Sequence, residues 1–169
     1  MYKRQGLNAV IRDIRSYILD LQPTRVRSID LKVALQELGR EFRANTLVDL
    51  ELKLEDKAVA LLDRKTTSEL FLIAQEALAN VAKHAEATRV WLTVRNVGDE
   101  LLLQIIDNGR GFNPQDHGRM LGHGLSNIEQ RANGIGGTWH ITSSPGQGTT
   151  VTIRLAIDKA PRLAEERIA

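Results

Sequence analysis

The sequence predicts a two-layer α/β sandwich: one mostly antiparallel sheet with helices on a single face, preceded by an N-terminal helical stub. Three observations predict it. Stretches of helical period and stretches of strict alternation follow one another as helix, strand, helix, strand, strand, helix, strand, strand. Two of the strand pairs are joined by turns too short for a crossover, so each pair is antiparallel. Hydrophobic residues make up 42% of the chain but aromatics only 4%, so Leu, Ile, Val and Ala must fill a core of the chain's own.

Each element has its own warrant. Residues 6–21 read as a helix because Leu7, Val10, Ile11, Ile14, Tyr17, Ile18 and Leu21 recur at three- and four-residue steps. Leu7, Ile14 and Leu21 form the seam of a coiled coil or helix bundle, which has to bury itself against helices outside the segment. Pro23 ends it. Asp30 caps a second helix to about Ala44, with Leu31, Ala34, Leu35, Leu38 and Phe42 on one face. Val48, Leu50, Leu52 and Leu54 alternate with polar residues as a half-buried strand does. After a charged loop, Thr67 or Ser68 opens a longer helix to about His84, apolar along Leu70, Ile73, Ala77, Leu78 and Val81. Val90, Leu92 and Val94 form a strand, Gly98-Asp99 turns the chain, and Leu101, Leu103 and Ile105 return. Residues 107–124 are polar and glycine-rich without a period, and a short helix follows over about 125–132. Strands near 138–143 and 150–156 flank the turn Ser144-Pro145-Gly146-Gln147-Gly148. The charged tail from Lys159 is expected to fray.

Composition narrows the function. A net charge of +2, from 23 basic and 21 acidic residues, gives no reason to expect nucleic acid or an anionic membrane as partner. The chain has no cysteine, which removes disulfide and thiolate chemistry and fits a reducing cytoplasm. No apolar run approaches the ~20 residues of a membrane span, and no signal peptide is visible.

Four short stretches carry chemistry. Glu76, Asn80, Lys83 and His84 are spaced to lie along one helical stripe, expected roughly opposite the apolar face of Ile73, Ala77 and Val81. An acid, an amide, a lysine and a histidine in line can hold a hydrated magnesium ion and the phosphates it bridges, although a solvated helix face has the same pattern. Magnesium keeps several waters, so one amide oxygen from Asn80 would suffice. Asp107-Asn108-Gly109-Arg110-Gly111-Phe112 follows a strand directly. A carboxylate there can accept a hydrogen bond from an exocyclic amine such as that of adenine, and Gly109 and Gly111 let the backbone approach a flat base. Gly122-His123-Gly124-Leu125 opens a helix, where free N–H groups and the dipole favour phosphate. Gly146-Gln147-Gly148-Thr149 is a hairpin turn leading into the last strand.

In that order these stretches resemble the asparagine box and the three glycine boxes of the GHKL ATPase superfamily, which includes histidine kinases, the gyrase ATPase, Hsp90 and MutL. The resemblance covers about residues 48–156. The segments "EALANVAKHAEATRV", "DNGRGF" and "GHGLSNIEQRANGIGGTWHITSSPGQGTTVTIRL" are similar to short-lid sensor histidine kinases that pair with helix-turn-helix response regulators. "VIRDIRSYILDLQP" is similar to the end of their second dimerisation helix. The resemblance implies three regions: residues 1–23 as part of that helix, 24–158 as the ATP-binding catalytic domain, and 159–169 as a tail. It implies ATP and Mg²⁺ as cofactors, with Asn80 ligating magnesium and Lys83 and His84 facing phosphates. Asp107 would read adenine, with Gly109 and Gly111 lining the base and Thr149 reaching it. Gly122, His123, Gly124 and Leu125 would cradle phosphate. Glu76, Asn80 and Lys83 would be the catalytic set, Glu76 activating water in the gyrase and Hsp90 relatives and polarising or supporting in a kinase.

The implied partners are a phosphoacceptor dimerisation domain of the same protein, in a homodimeric parent that is membrane-bound or cytosolic, and a response regulator. Such a domain needs a histidine directly followed by an acid. His84, His117, His123 and His140 all lack that context, so the chain alone is expected not to phosphorylate itself. The phenylalanine-bearing box of many kinases is not evident beyond Phe112, and the lid over 113–121 is short and expected to be mobile without nucleotide. An anti-sigma-type serine kinase and a nucleotide-binding module without turnover are the alternatives. The heptad-patterned stub argues against the first of these.

Overall fold

The structure, a computed structural model, describes residues 30–60, 62–114 and 123–157. The expected stub, the lid from 115 onward with Gly122, and the tail lie outside the described residues.

Helix α1 (Leu31–Asn45) begins where Asp30 caps it, the carboxylate accepting from the N–H groups of Lys32 at 2.7 Å and Val33 at 3.3 Å. Its apolar stripe is buried as expected. β1 (Asp49–Leu54) follows, and the charged loop after it contains a further short helix, α2 (Asp56–Val59), which buries Ala58. Helix α3 (Arg64–Asn80) starts three residues before the expected Thr67, because Asp63 caps it by accepting from Thr66 N–H at 2.6 Å. Thr67 is buried inside the helix and caps nothing. The backbone hydrogen bond from Thr66 holds the Asp63 carboxyl below its ordinary value. This contribution is present above the usual carboxylate range and fades as pH falls through the depressed pKa. Asp63→Ala should cost about 1 kcal/mol. The measurement is thermal unfolding at neutral pH, and an unchanged melting temperature would remove Asp63 as the cap.

The rest of α3 does not run on as α-helix to His84. Val81–Ala85 form a single π-turn, and Glu86 ends it in the left-handed region at φ 52°. Such wide turns are rare and are often found at functional sites. β2 (Arg89–Val97), β3 (Glu100–Asp107), α4 (His123–Gly134), β4 (Thr138–Ser143) and β5 (Thr149–Ala156) complete the order.

The five strands form one sheet in the order β1-β2-β3-β5-β4. β1 runs parallel to β2 and every other pair is antiparallel. Leu50, Val90, Leu92, Val94, Leu101, Leu103, Ile105, Val151, Ile153 and Leu155 bury one face of it against Leu35, Leu38, Phe42, Leu70, Ile73, Leu78, Ile128 and Ala132 of the helices. The other face exposes Glu51, Lys53, Arg95, His140 and Arg154, and among the described residues no helix covers it. This is the two-layer sandwich the sequence predicts. α3 and α4 are further tied at their far ends, Arg131 to Glu69 at 2.8 Å and Lys65 Nζ to the Gly134 carbonyl at 2.8 Å. Among the described residues no helix is long and apolar enough to cross a membrane.

Candidate nucleotide site

The inner face of the sheet ends in polar residues, and the register explains how. Val90, Asp107, Thr149 and Ser143 stand in one cross-strand row. The next row inward is Leu92, Ile105, Val151 and Ile141. Asp107 therefore occupies a core-facing position at the end of β3, 5% exposed. Its Oδ1 accepts from Gly109 N–H at 2.8 Å. Burial pushes the Asp107 carboxyl above its ordinary value, and the bonds from Gly109 N–H and from the N–H and hydroxyl of Thr149 pull it back.

Over this row lies a cavity of about 240 Å³. Ile105, Ile141 and Val151 with Asp107 and Thr149 make its floor. Glu76, Ala77, Asn80 and Val81 of α3 and its π-turn, with Lys83, His84 and Ala85, make the opposite wall. Gly111, Phe112, Gly124 and Leu125 close the sides. Glu76, Asn80, Lys83, His84, Asp107, Gly111, Gly124, Leu125 and Thr149 of the expected set are thus brought together around one space. His123 is the first residue of α4, and Gly122 lies outside the described residues.

Two expectations need correction. The polar stripe of α3 does not lie opposite its apolar face. Asn80 comes close to two whole turns after Ile73 and so stands on the same side of the helix. Ala77 and Val81, expected to face away from it, line the same cavity. The stripe is the end of the core-facing surface rather than a solvated one. Gly109, in turn, does not line the cavity. A Cβ on it would lie 2.2 Å from the Ala85 carbonyl oxygen, and that carbonyl accepts from Arg110 N–H at 2.7 Å. The loop after β3 therefore caps the C-terminal end of the π-turn, and the missing side chain of Gly109 permits this approach. Gly111 does line the cavity, at φ +57°.

The upper wall is unusual for its polar atoms. Asn80 Nδ2 is buried and has no hydrogen-bond partner among the described residues. A Cβ on Gly124 would stand 2.4 Å from Glu76 Oε1 and 3.2 Å from both side-chain heteroatoms of Asn80. The N-terminal turn of α4 thus abuts the Glu76 carboxylate and the Asn80 amide, and only glycine fits there. Among the described residues no cluster of three or more His, Cys, Asp or Glu could hold a metal. The donor set at Asn80 and Glu76 is one amide and one carboxylate, hard oxygen ligands few in number. It fits magnesium, which takes few protein ligands, and does not fit zinc. At the rim, partial burial and then the charges of Lys83 and Arg110 hold His84 below the ordinary histidine value, so it is neutral near pH 7.

Two contributors escape the motif reading. Arg110 adds positive charge beside His84, with Glu86 at 3.8 Å. Ser143, 6% exposed, joins the loop after β3 to the β4–β5 hairpin at the end of the floor. The alternation of β4 could have found it, because Trp139 and Ile141 face inward and Ser143 is the next in step. Asn108 serves the loop itself, its Oδ1 accepting from Thr88 and Arg89 N–H at 3.0 and 2.9 Å.

Residues 66–159 match the family of Histidine kinase-, DNA gyrase B-, and HSP90-like ATPases. Over 155 residues the chain is 33% identical to the sensor histidine kinase LiaS of Bacillus subtilis (strain 168), which covers 92% of this chain and 42% of that protein. Over 147 residues it is 34% identical to the sensor protein VraS of Staphylococcus aureus (strain COL), covering 87% and 41%. The chain thus spans less than half the length of these relatives. Among solved structures, Acinetobacter baumannii histidine kinase AdeS superposes with a TM-score of 0.64 at 18% identity, over 88% of this chain and 77% of that one. The histidine kinase domain of the Erythrobacter litoralis EL346 blue-light activated kinase gives 0.61 at 21% identity, over 73% and 61%. These likenesses share the fold.

Proposed function

Because the chain belongs to the histidine kinase-, DNA gyrase B- and HSP90-like ATPase family, carrying its ATP-binding catalytic domain, we propose that it orients magnesium-bound ATP for transfer of the γ-phosphate to a histidine. The acceptor would lie on a dimerisation domain of the same homodimeric protein, and a response regulator with a helix-turn-helix output would receive the phosphate next. The domain would work in the cytoplasm. The observation that carries this reading is the pairing of a buried carboxylate at the floor with an amide and an acid at the wall, across one cavity.

Each residue then has a task. Asp107 is saturated on one side by Gly109 and Thr149, and has lone pairs left for a donor in the cavity. A 6-amino group satisfies them and a 6-oxo group does not, so the floor selects adenine over guanine. Ile105, Ile141 and Val151 give the base an apolar bed and exclude water. Gly111 and Thr149 line its edge. Lys83 and neutral His84 stand at the open side as hydrogen-bond donors to phosphate oxygens, with Gly124 and Leu125 beside them at the start of α4; Gly122 and His123 would add phosphate contacts there. Asn80 would hold magnesium through its amide oxygen, with Glu76 next to it. The ion supplies charge neutralisation at the transferring phosphate. Catalysis by the chain itself is positioning: α3 holds Glu76 and Asn80 and the π-turn that continues it holds Lys83, so the acceptor nitrogen meets a phosphate already in line.

The test is transfer of label from γ-labelled ATP to a separately supplied dimerisation domain. Acid-labile phosphohistidine on that domain is expected, and none on this chain. Acid-labile phosphate on His84, His117, His123 or His140 would overturn the assignment of the acceptor. Acid-stable phosphoserine on an added partner would make this a serine kinase instead.

A further inference from the structure

The Ser143 hydroxyl stands where the loop after β3 meets the β4–β5 hairpin. It lies 3.0 Å from Phe112 N, 2.9 Å from the Gly148 carbonyl and 3.1 Å from Thr149 Oγ1. Phe112 lines the cavity from the loop after β3, and Gly148 and Thr149 belong to the β4–β5 hairpin. One buried hydroxyl therefore links two cavity walls that are far apart in the chain.

Its proton count is restrictive. A serine hydroxyl has one proton and two lone pairs. Phe112 N–H can only donate to it and the Gly148 carbonyl can only accept from it. Thr149 can do either. If Ser143 donates to Gly148, a bond between the two hydroxyls needs the Thr149 proton, which is then unavailable to Asp107. If Thr149 donates to Asp107, Ser143 either keeps its bond to Gly148 and meets Thr149 without a proton between them, or turns to Thr149 and leaves Gly148 without a donor. An ionised Asp107 can only accept, so it draws the Thr149 proton away from Ser143. Two hydroxyl protons thus serve three contacts, and one contact goes unserved.

We propose that Ser143 is a positioning residue for base recognition, its hydroxyl holding the Thr149 side chain beside Asp107 while its lone pair holds Phe112 at the cavity wall. This rests on the adenine reading of Asp107 given above. Ser143 touches no ligand in this scheme and acts through Thr149. Without it, Thr149 has no inward partner and its hydroxyl can turn from the carboxylate into the cavity. The site then discriminates less between a base with a 6-amino donor and one with a 6-oxo acceptor.

The experiment measures binding of ATP and of inosine triphosphate, which has oxygen in place of the amine, to the whole chain by calorimetry. Wild type should prefer ATP. Ser143→Ala should lower ATP affinity by about tenfold and narrow the ratio between the two nucleotides by a similar factor. A merely structural role would weaken both equally and leave the ratio unchanged, and that result overturns the proposal. Should Ser143→Ala fail to fold, Ser143→Cys keeps the shape with a much weaker donor and should narrow the same ratio; an unchanged ratio there overturns the proposal equally. In a Thr149→Val background Ser143→Ala should change the ratio no further, and additive effects would mean that Ser143 does not work through Thr149. Failure of wild type to prefer ATP would instead refute the adenine reading, a separate result from a wild-type preference that Ser143→Ala leaves intact.

Discussion

Asp107→Asn is expected to weaken ATP binding by about tenfold to a hundredfold, the ~1.5–3 kcal/mol of a hydrogen bond to a charged acceptor. The structure explains why so small a change costs so much. Gly109 N–H, Thr149 N–H and the Thr149 hydroxyl all point donors at this carboxylate. An amide offers one oxygen in place of two. Its NH₂ group must face either the protein's own donors or the amine of the base, and either arrangement sets donor against donor. Calorimetry with unchanged affinity would reject Asp107 as the base reader. A pH series adds an independent check. The Asp107 pKa is raised by burial, so the empty domain protonates it above the ordinary carboxylate range. As pH falls through that raised value the carboxyl loses its charge and one acceptor oxygen becomes a donor, and wild-type affinity should fall with it, whereas Asp107→Asn should be flat in that window. The stability of the empty domain should change in the opposite sense. A raised folded-state pKa contributes stability below the ordinary Asp value that is lost as pH rises through the shifted one.

The sheet and the succession of its elements along the chain are legible because each strand is half-buried and alternates; the place of β5 between β3 and β4 and the parallel pairing of β1 with β2 are not. Leu101, Leu103 and Ile105 announce the inner face of β3, and the same step of two carries on to Asp107. The cavity floor was therefore implicit in the sequence. Its partners were less so. The wall is misleading in sequence because the polar residues near the end of α3 look like a separate face, whereas Asn80 continues the line of Ile73. The π-turn at Val81–Ala85 leaves no trace in the sequence, since no proline or glycine marks it. Gly109 was legible as a glycine needing close approach, but the neighbour it approaches, the Ala85 carbonyl, is set by tertiary packing. Asp63 is hidden as a cap by the charged stretch around it, and Thr67, which resembles a cap, is buried in the helix. Ser143 was hidden among ordinary hairpin residues, and its role depends on register across three strands.

Asn80→Ala should separate chemistry from stability. Asn80 Nδ2 is buried without a partner among the described residues, so the fold gains nothing from that donor and bears the cost of its desolvation. Its removal should leave stability unchanged or raise it by up to ~1 kcal/mol, read as a melting temperature that holds or increases. Phosphotransfer to an added dimerisation domain should nevertheless fall by about a hundredfold to a thousandfold, the scale seen when one preorganised group at a reacting centre is lost. Nucleotide binding without magnesium should change little, because the floor of Asp107, Thr149, Ile105 and Val151 is untouched. Gly124→Ala approaches the same wall from α4. Its Cβ would sit 2.4 Å from Glu76 Oε1, so Glu76 or the start of α4 has to move, and transfer should fall with Asn80 still present. A residue retained at a thermodynamic cost, on the one stretch of α3 that faces the cavity, is what a ligand position looks like before its ligand arrives. Transfer near the wild-type rate in Asn80→Ala would show that the amide is not the magnesium ligand.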